Sequence, residues 1–128
     1  MSALVTWINS HEARIFKFKP TGVEISKVES HGPRHQAEVH GKNHTKAEGD
    51  MEKFYREVIK TLGTEKDSQW LILGPSLAHT HLKHIIDKDF PHLRKCIVAV
   101  EPMDNATDGQ IQDYARKFFK HRGVFEAL

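Results

Sequence analysis

Twice in the second half of the chain, a short unbroken apolar run passes through a turn into a stretch with an apolar face at helical spacing. Trp70-Leu71-Ile72-Leu73 is closed by Gly74-Pro75, and Ala78, Leu82, Ile85 and Ile86 follow. Cys96 to Val100 is followed by Glu101-Pro102, and then by Ile111, Tyr114, Ala115, Phe118 and Phe119. A short apolar run without alternation is the mark of a strand covered on both faces. Buried strands joined through helices become parallel neighbours by right-handed crossovers. This feature commits the chain to an α/β sheet.

The first quarter obeys a different period. Leu4 to Ile8 forms a first strand. Ala13 to Phe18 alternates, with Ile15 and Lys17 on one face and Phe16 and Phe18 on the other. That two-residue period marks a strand. Asn9-Ser10-His11 makes the hairpin turn between them, and Pro20-Thr21-Gly22 the next turn. Val23 to Val28 is the third strand, with Val23 and Ile25 on one face. An antiparallel meander therefore precedes the strand–helix alternation. The expected fold is a mixed five-stranded α/β sheet of order βββαβαβα, with helices packed on its faces.

Residues 29–49 break every period. They hold three glycines, one proline and four histidines, and Val39 is the only large aliphatic residue. A loop of this length is expected to be functional or disordered. After it, Met51, Phe54, Tyr55, Val58, Ile59 and Leu62 line one helical face, with Asp50 as N-cap and Gly63 as stop. Ser76 is the expected cap of the next helix, and Pro91 its end. Thr107-Asp108-Gly109-Gln110 has the spacing of a capping box. Cys96 is expected mid-strand, as a small buried thiol.

Three groups of residues carry possible chemistry. His31, His35, His40 and His44 are imidazole donors of the kind that bind Zn²⁺. No cysteine supports them, so a solvated polar loop is the simpler expectation. Arg34, Lys42 and Lys46, with His35, His40 and His44, also make this segment a candidate for RNA or anion contact. The second group is Gly74, Ser76 and His79, where a turn exposes backbone N–H groups at a helix start. The spacing expects His79 on the polar side of its helix and His81 packed on the apolar rim. The third is Glu101 to Asp108, with Asp104, Thr107 and Asp108 at the next helix start. Both turns leave the carboxyl ends of strands, where open α/β sheets bind ligands, so together they form a candidate crevice. Asp104 and Asp108 also suit a helix N-terminus by charge alone.

Composition excludes several classes. The 128 residues suit one domain over 1–128, and 38% apolar with 28% charged residues is a globular balance. One cysteine allows no internal disulfide. No apolar run reaches membrane-spanning length, and the N-terminus lacks the features of a signal peptide, so a cytoplasmic setting is expected. Net charge is only +2, although ten histidines add to it as pH falls. Ser10-His11 are adjacent, which does not orient a base on a hydroxyl.

Several stretches carry a family resemblance. They are Val5-Thr6-Trp7-Ile8, Glu12-Ala13-Arg14-Ile15-Phe16, Leu73-Gly74-Pro75, Val100-Glu101-Pro102-Met103-Asp104, and Thr107-Asp108-Gly109-Gln110 with Tyr114-Ala115-Arg116-Lys117-Phe118-Phe119. Together they resemble small bacterial translational-machinery-like proteins, distantly similar to a domain of archaeal and eukaryotic peptide release factor 1 and Pelota. The resemblance spans nearly the whole chain outside the His-rich segment. It implies a ribonuclease H-like sheet and a translation-related role. Asp108-Gly109-Gln110 only partly matches the Gly-Gly-Gln of release factors, and Gln110 is accounted for as a capping residue, so peptidyl-tRNA hydrolysis is not expected. The first strand has no acid for two-metal catalysis, so nuclease activity is not expected either.

The expected function is a non-catalytic binding protein of the translation apparatus, with the ribosome or RNA as partner, no cofactor and no membrane. Two alternatives stand beside it. One is an enzyme or small-ligand binder at the crevice of residues 74–79 and 101–108. The other is a metal-responsive or homo-oligomeric scaffold built on the His-rich segment.

Overall fold

The computed structural model describes the backbone of residues 2–30 and 44–123, and the side chains of 2–30 and 51–123. The strands are β1 (Ser2–Ile8), β2 (Glu12–Lys19), β3 (Gly22–Glu29), β4 (Ser68–Gly74) and β5 (Ile97–Pro102). The helices are α1 (His44–Leu62), α2 (Ala78–Asp89) and α3 (Asp108–His121). Short 3₁₀ turns, Gly63–Glu65 and Pro91–Cys96, lead into β4 and β5.

The five strands form one sheet of order β3-β2-β1-β4-β5. β1 pairs antiparallel with β2, and β2 with β3, while β1 pairs parallel with β4, and β4 with β5. The expected mixed α/β sheet and its βββαβαβα order are what the chain adopts. β1 is the central strand and helices cover both its faces, which is why its residues 3–8 are all buried.

Strand periodicity divides the core in two. Leu4, Ile8, Ile15, Trp70 and Ile72 face α1 and α2, which add Phe54, Val58, Leu62, Leu82 and Ile86. Ala3, Val5, Trp7, Phe16, Phe18, Leu71 and Leu73 face α3, which adds Ile111, Ala115 and Phe119. The unbroken run 70–73 thus serves both faces. Ile25 lies on the α3 side of the edge strand, where no helix among the described residues covers it, and is 51% exposed.

Several boundaries differ from expectation. Glu29 ends β3, and α1 begins at His44, so the segment expected as a loop over 29–49 is regular at both ends. Gly49 lies inside α1 and Asp50 is not its N-cap. A helical glycine costs about 1 kcal/mol, which a helix with this long apolar face tolerates. The N-cap of α2 is Leu77 rather than Ser76, and no side chain caps that end. Cys96 closes the 3₁₀ turn before β5 rather than standing mid-strand. Its thiol is buried and donates to the Lys66 carbonyl at 3.2 Å, and burial pushes its pKa up.

His79 and His81 exchange their expected places. His79 is 5% exposed and His81 is exposed, meeting Tyr55 edge-on at 6.2 Å. The buried side of α2 runs through Ala78, Leu82 and Ile86 and takes in His79 at the sheet end. Ile85 and His81 lie toward its outer rim.

Candidate functional site

β4 and β5 are parallel neighbours, so their carboxyl ends lie side by side. The chain leaving β4 enters α2 on one face, and the chain leaving β5 enters α3 on the other. Such a divergence is where open sheets commonly hold ligands. Here the two turns are sewn together. Gly74 pairs with Pro102, and the Met103 N–H donates to the Gly74 carbonyl at 2.8 Å.

The turn after β4 is shaped by close packing. A Cβ on Gly74 would overlap the Ile8 carbonyl oxygen and stand 3.0 Å from His79 Nδ1, so only glycine fits without movement. His79 folds beneath the turn, and its Nδ1 has no hydrogen-bond partner among the described residues. Burial lowers its pKa below the ordinary value, which favours neutral imidazole. Ser76 and Leu77 are exposed. Thr80 Oγ1 donates to the Leu77 carbonyl at 2.7 Å.

The turn after β5 is held by polar straps from distant strands. Trp7 Nε1 donates to the Met103 and Asp104 carbonyls at 3.2 and 3.3 Å. The Arg14 guanidinium lies 4.5 Å from the centre of the Trp7 ring. Its Nη1 meets Asp108 Oδ1 at 2.7 Å, and its Nη2 donates to the Ala106 carbonyl at 3.0 Å. Thr107 and Gln110 complete the expected capping box. The Gln110 N–H donates to Thr107 Oγ1 at 3.1 Å, and the Thr107 N–H to Gln110 Oε1 at 2.9 Å.

Beyond this turn lies an open cup of about 430 Å³, lined by Met103 to Ala106, Gln110, Asp113, Tyr114 and Lys117. The Tyr114 hydroxyl hydrogen-bonds the Glu101 carboxylate, which pushes the phenol pKa up to about 12. Tyr114 therefore stays protonated through the physiological range and acts as a donor. The cup presents carboxylates, two amides and an ammonium group, but it is wide to solvent.

Of the six crevice candidates, Asp104, Thr107 and Asp108 are exposed on the second turn, and Gly74, Ser76 and His79 form the first. The turns touch through Gly74 and Met103, but of these six residues only Asp104 borders the cup. Trp7 and Arg14 hold this region together and were not singled out as site residues. Their partners lie more than 90 residues away in sequence. No local pattern announces such pairs.

The side chains of Arg34, His35, His40, Lys42, His44 and Lys46, and of His31, lie outside the described residues. Among the described residues, no group of three His, Cys, Asp or Glu side chains stands close enough to hold a metal ion. Among the same residues, no helix is long and apolar enough to cross a membrane.

Comparison with solved structures confirms the fold. The chain superposes on Archaeoglobus fulgidus Pelota with a TM-score of 0.62 at 13% identity, over 91% of this chain and 31% of that one. On the Thermoplasma acidophilum Pelota protein the TM-score is 0.60 at 15% identity, over 90% of this chain and 32% of the other. On the archaeal translation termination factor aRF1 it is 0.62 at 12% identity, over 88% and 32%. This chain has the fold of a Pelota and aRF1 domain. It spans about a third of the length of each of these proteins. No protein-family model and no curated protein matches it.

Proposed function

We propose that this protein is a non-catalytic binding protein of the translation apparatus. The observation that carries the reading is the shared fold. About nine-tenths of the chain follows one domain of Pelota and of a translation termination factor. A domain used within larger factors is suited to act as a docking unit when it stands on a separate chain, although fold alone does not transfer activity.

The strand-end groups support a binding role over a catalytic one. Asp108 holds Arg14, Thr107 and Gln110 satisfy each other, and Trp7 secures two loop carbonyls. These groups are spent on holding the turn. The neutral, buried His79 offers no exposed base. The proposed contacts to ribosome or RNA are the cations Arg34, Lys42 and Lys46, with His35, His40 and His44 adding charge as pH falls.

Sedimentation of a cell extract through a sucrose gradient tests this. The protein is expected in ribosomal fractions at low salt, and at the top of the gradient as salt rises. If it stays at the top at low salt, at pH 6 and at pH 7.5 alike, the reading fails.

A further inference from the structure

The charges of the chain are sorted along the strand axis. At the amino ends of the parallel strands lie the β2–β3 turn, the ends of α1, α2 and α3, and the 3₁₀ turns Gly63–Glu65 and Pro91–Cys96. The segments 17–24, 60–69, 88–97 and 118–123 carry nine Lys and Arg against four Asp and Glu. The rest of the chain is therefore acidic on balance, and the opposite strand ends hold Glu101, Asp104, Asp108 and Asp113. From this sorting we infer that the basic pole is a contact surface for the phosphate backbone of a nucleic acid.

The pole is assembled by specific contacts. Cys96 Sγ bonds the Lys66 carbonyl, which sets Lys66 beside the 3₁₀ turn bearing Lys95. Arg122 Nε meets Gln69 Oε1 at 3.4 Å, which brings the end of α3 against the start of β4. Lys120 lies one half-turn away on the same helix end. Lys66, Lys95 and Lys120 are exposed, and none forms an ion pair among the described residues.

Helix dipoles do not account for this excess. Cations in a last helical turn balance its exposed carbonyls, which explains Lys60, Lys88 and Lys120. Lys66 follows and Lys95 lies within 3₁₀ turns too short for a substantial dipole, whereas Arg122, the C-cap of α3, is explained in the same way as Lys120. The five strands at about 4.8 Å spacing give the pole a width of about 20 Å, enough to meet several phosphates of one strand. Of the large exposed apolar side chains among the described residues, Leu77 and Tyr114 lie away from this pole, and Ile25 is a single side chain on the outer edge strand, next to the segment 17–24. A membrane surface or a protein hot spot would call for such anchors, whereas a polyanion needs only the charge.

The surface is independent of the ribosome reading, because it requires only a nucleic-acid strand. Fluorescence anisotropy with a labelled 20-nucleotide RNA, a matching DNA and anionic phosphatidylserine vesicles tests it across a salt series. The triple variant Lys66→Glu, Lys95→Glu, Lys120→Glu is compared with Arg34→Glu, Lys42→Glu, Lys46→Glu, which changes net charge equally. Circular dichroism verifies that each is folded. The pole variant is expected to bind RNA at least roughly tenfold more weakly, with a salt slope shallower by about 2, three phosphate contacts each contributing about 0.7. The DNA arm decides whether the backbone contact distinguishes the two nucleic acids. The inference is overturned if the wild type binds neither nucleic acid at low salt. It is also overturned if the pole variant binds RNA as tightly as the wild type, or if the pole lysines matter for vesicles alone.

Discussion

The two turns that leave β4 and β5 are neighbours in space and opposites in construction. The first is held by shape, with Gly74 giving room for the Ile8 carbonyl and for a buried imidazole. The second is held by polar groups reaching across from β1 and β2. A shape-held turn is intolerant of any added atom. A strapped turn loses its restraints one at a time. The first should therefore fail abruptly under substitution and the second by degrees.

Four substitutions press on this difference. Gly74→Ala should have the largest effect, since its methyl meets backbone rather than a flexible side chain. A loss of about 3 kcal/mol in urea unfolding is expected. A loss below about 1 kcal/mol would show that the first turn yields as easily as the second. Trp7→Phe keeps the apolar ring but removes the donor to the Met103 and Asp104 carbonyls. It should cost about 1–2 kcal/mol and speed exchange of the hydrogen-bonded Met103 and Thr107 amides, leaving the amides of the buried helical residues Leu82 and Ile86 protected. Thr107→Ala removes the cap of α3 and should cost about 1 kcal/mol, with the same assay as its measure.

The smallest effect concerns pH. The folded state holds His79 at a lowered pKa, so below the ordinary 6.5 the unfolded chain takes up the proton first. Stability contributed by neutral His79 is therefore present above that value and is lost as pH falls toward the lowered folded pKa. His79→Gln, which does not titrate, should show a shallower decline in unfolding free energy between pH 7 and 5 than the wild type. Equal slopes would remove His79 from the account of the first turn.

The same contrast separates what could be foreseen from what could not. The capping box at Thr107 and Gln110 was legible because its partners lie three residues apart. Gly74-Pro75 was legible as a stop because it closes an apolar run. The mixed sheet followed from a change of period, from alternation at 13–18 to unbroken runs at 70–73. His79 was misplaced because helical spacing gives the direction of a side chain but not how close the sheet end approaches it. Trp7 and Arg14 were invisible as a pair of straps, since a tryptophan and an arginine in alternating strands look like ordinary core and surface positions. The start of α1 was hidden by Gly49, which local propensity treats as an interruption.

β1 sits at the centre of the sheet, and its two neighbours come from different parts of the chain. Its antiparallel partner follows within one hairpin, whereas Ser2 meets Ser68 across a separation of 66 residues. During synthesis the three-strand meander is complete long before β4 leaves the ribosomal exit tunnel. Until then one edge of β1 and the inner faces of Trp7 and Leu4 have no cover. The nascent chain thus carries a sticky, half-built sheet whose protection depends on elongation speed. Slowing translation between residues 30 and 68 should lower the yield of folded protein more than slowing it after residue 102.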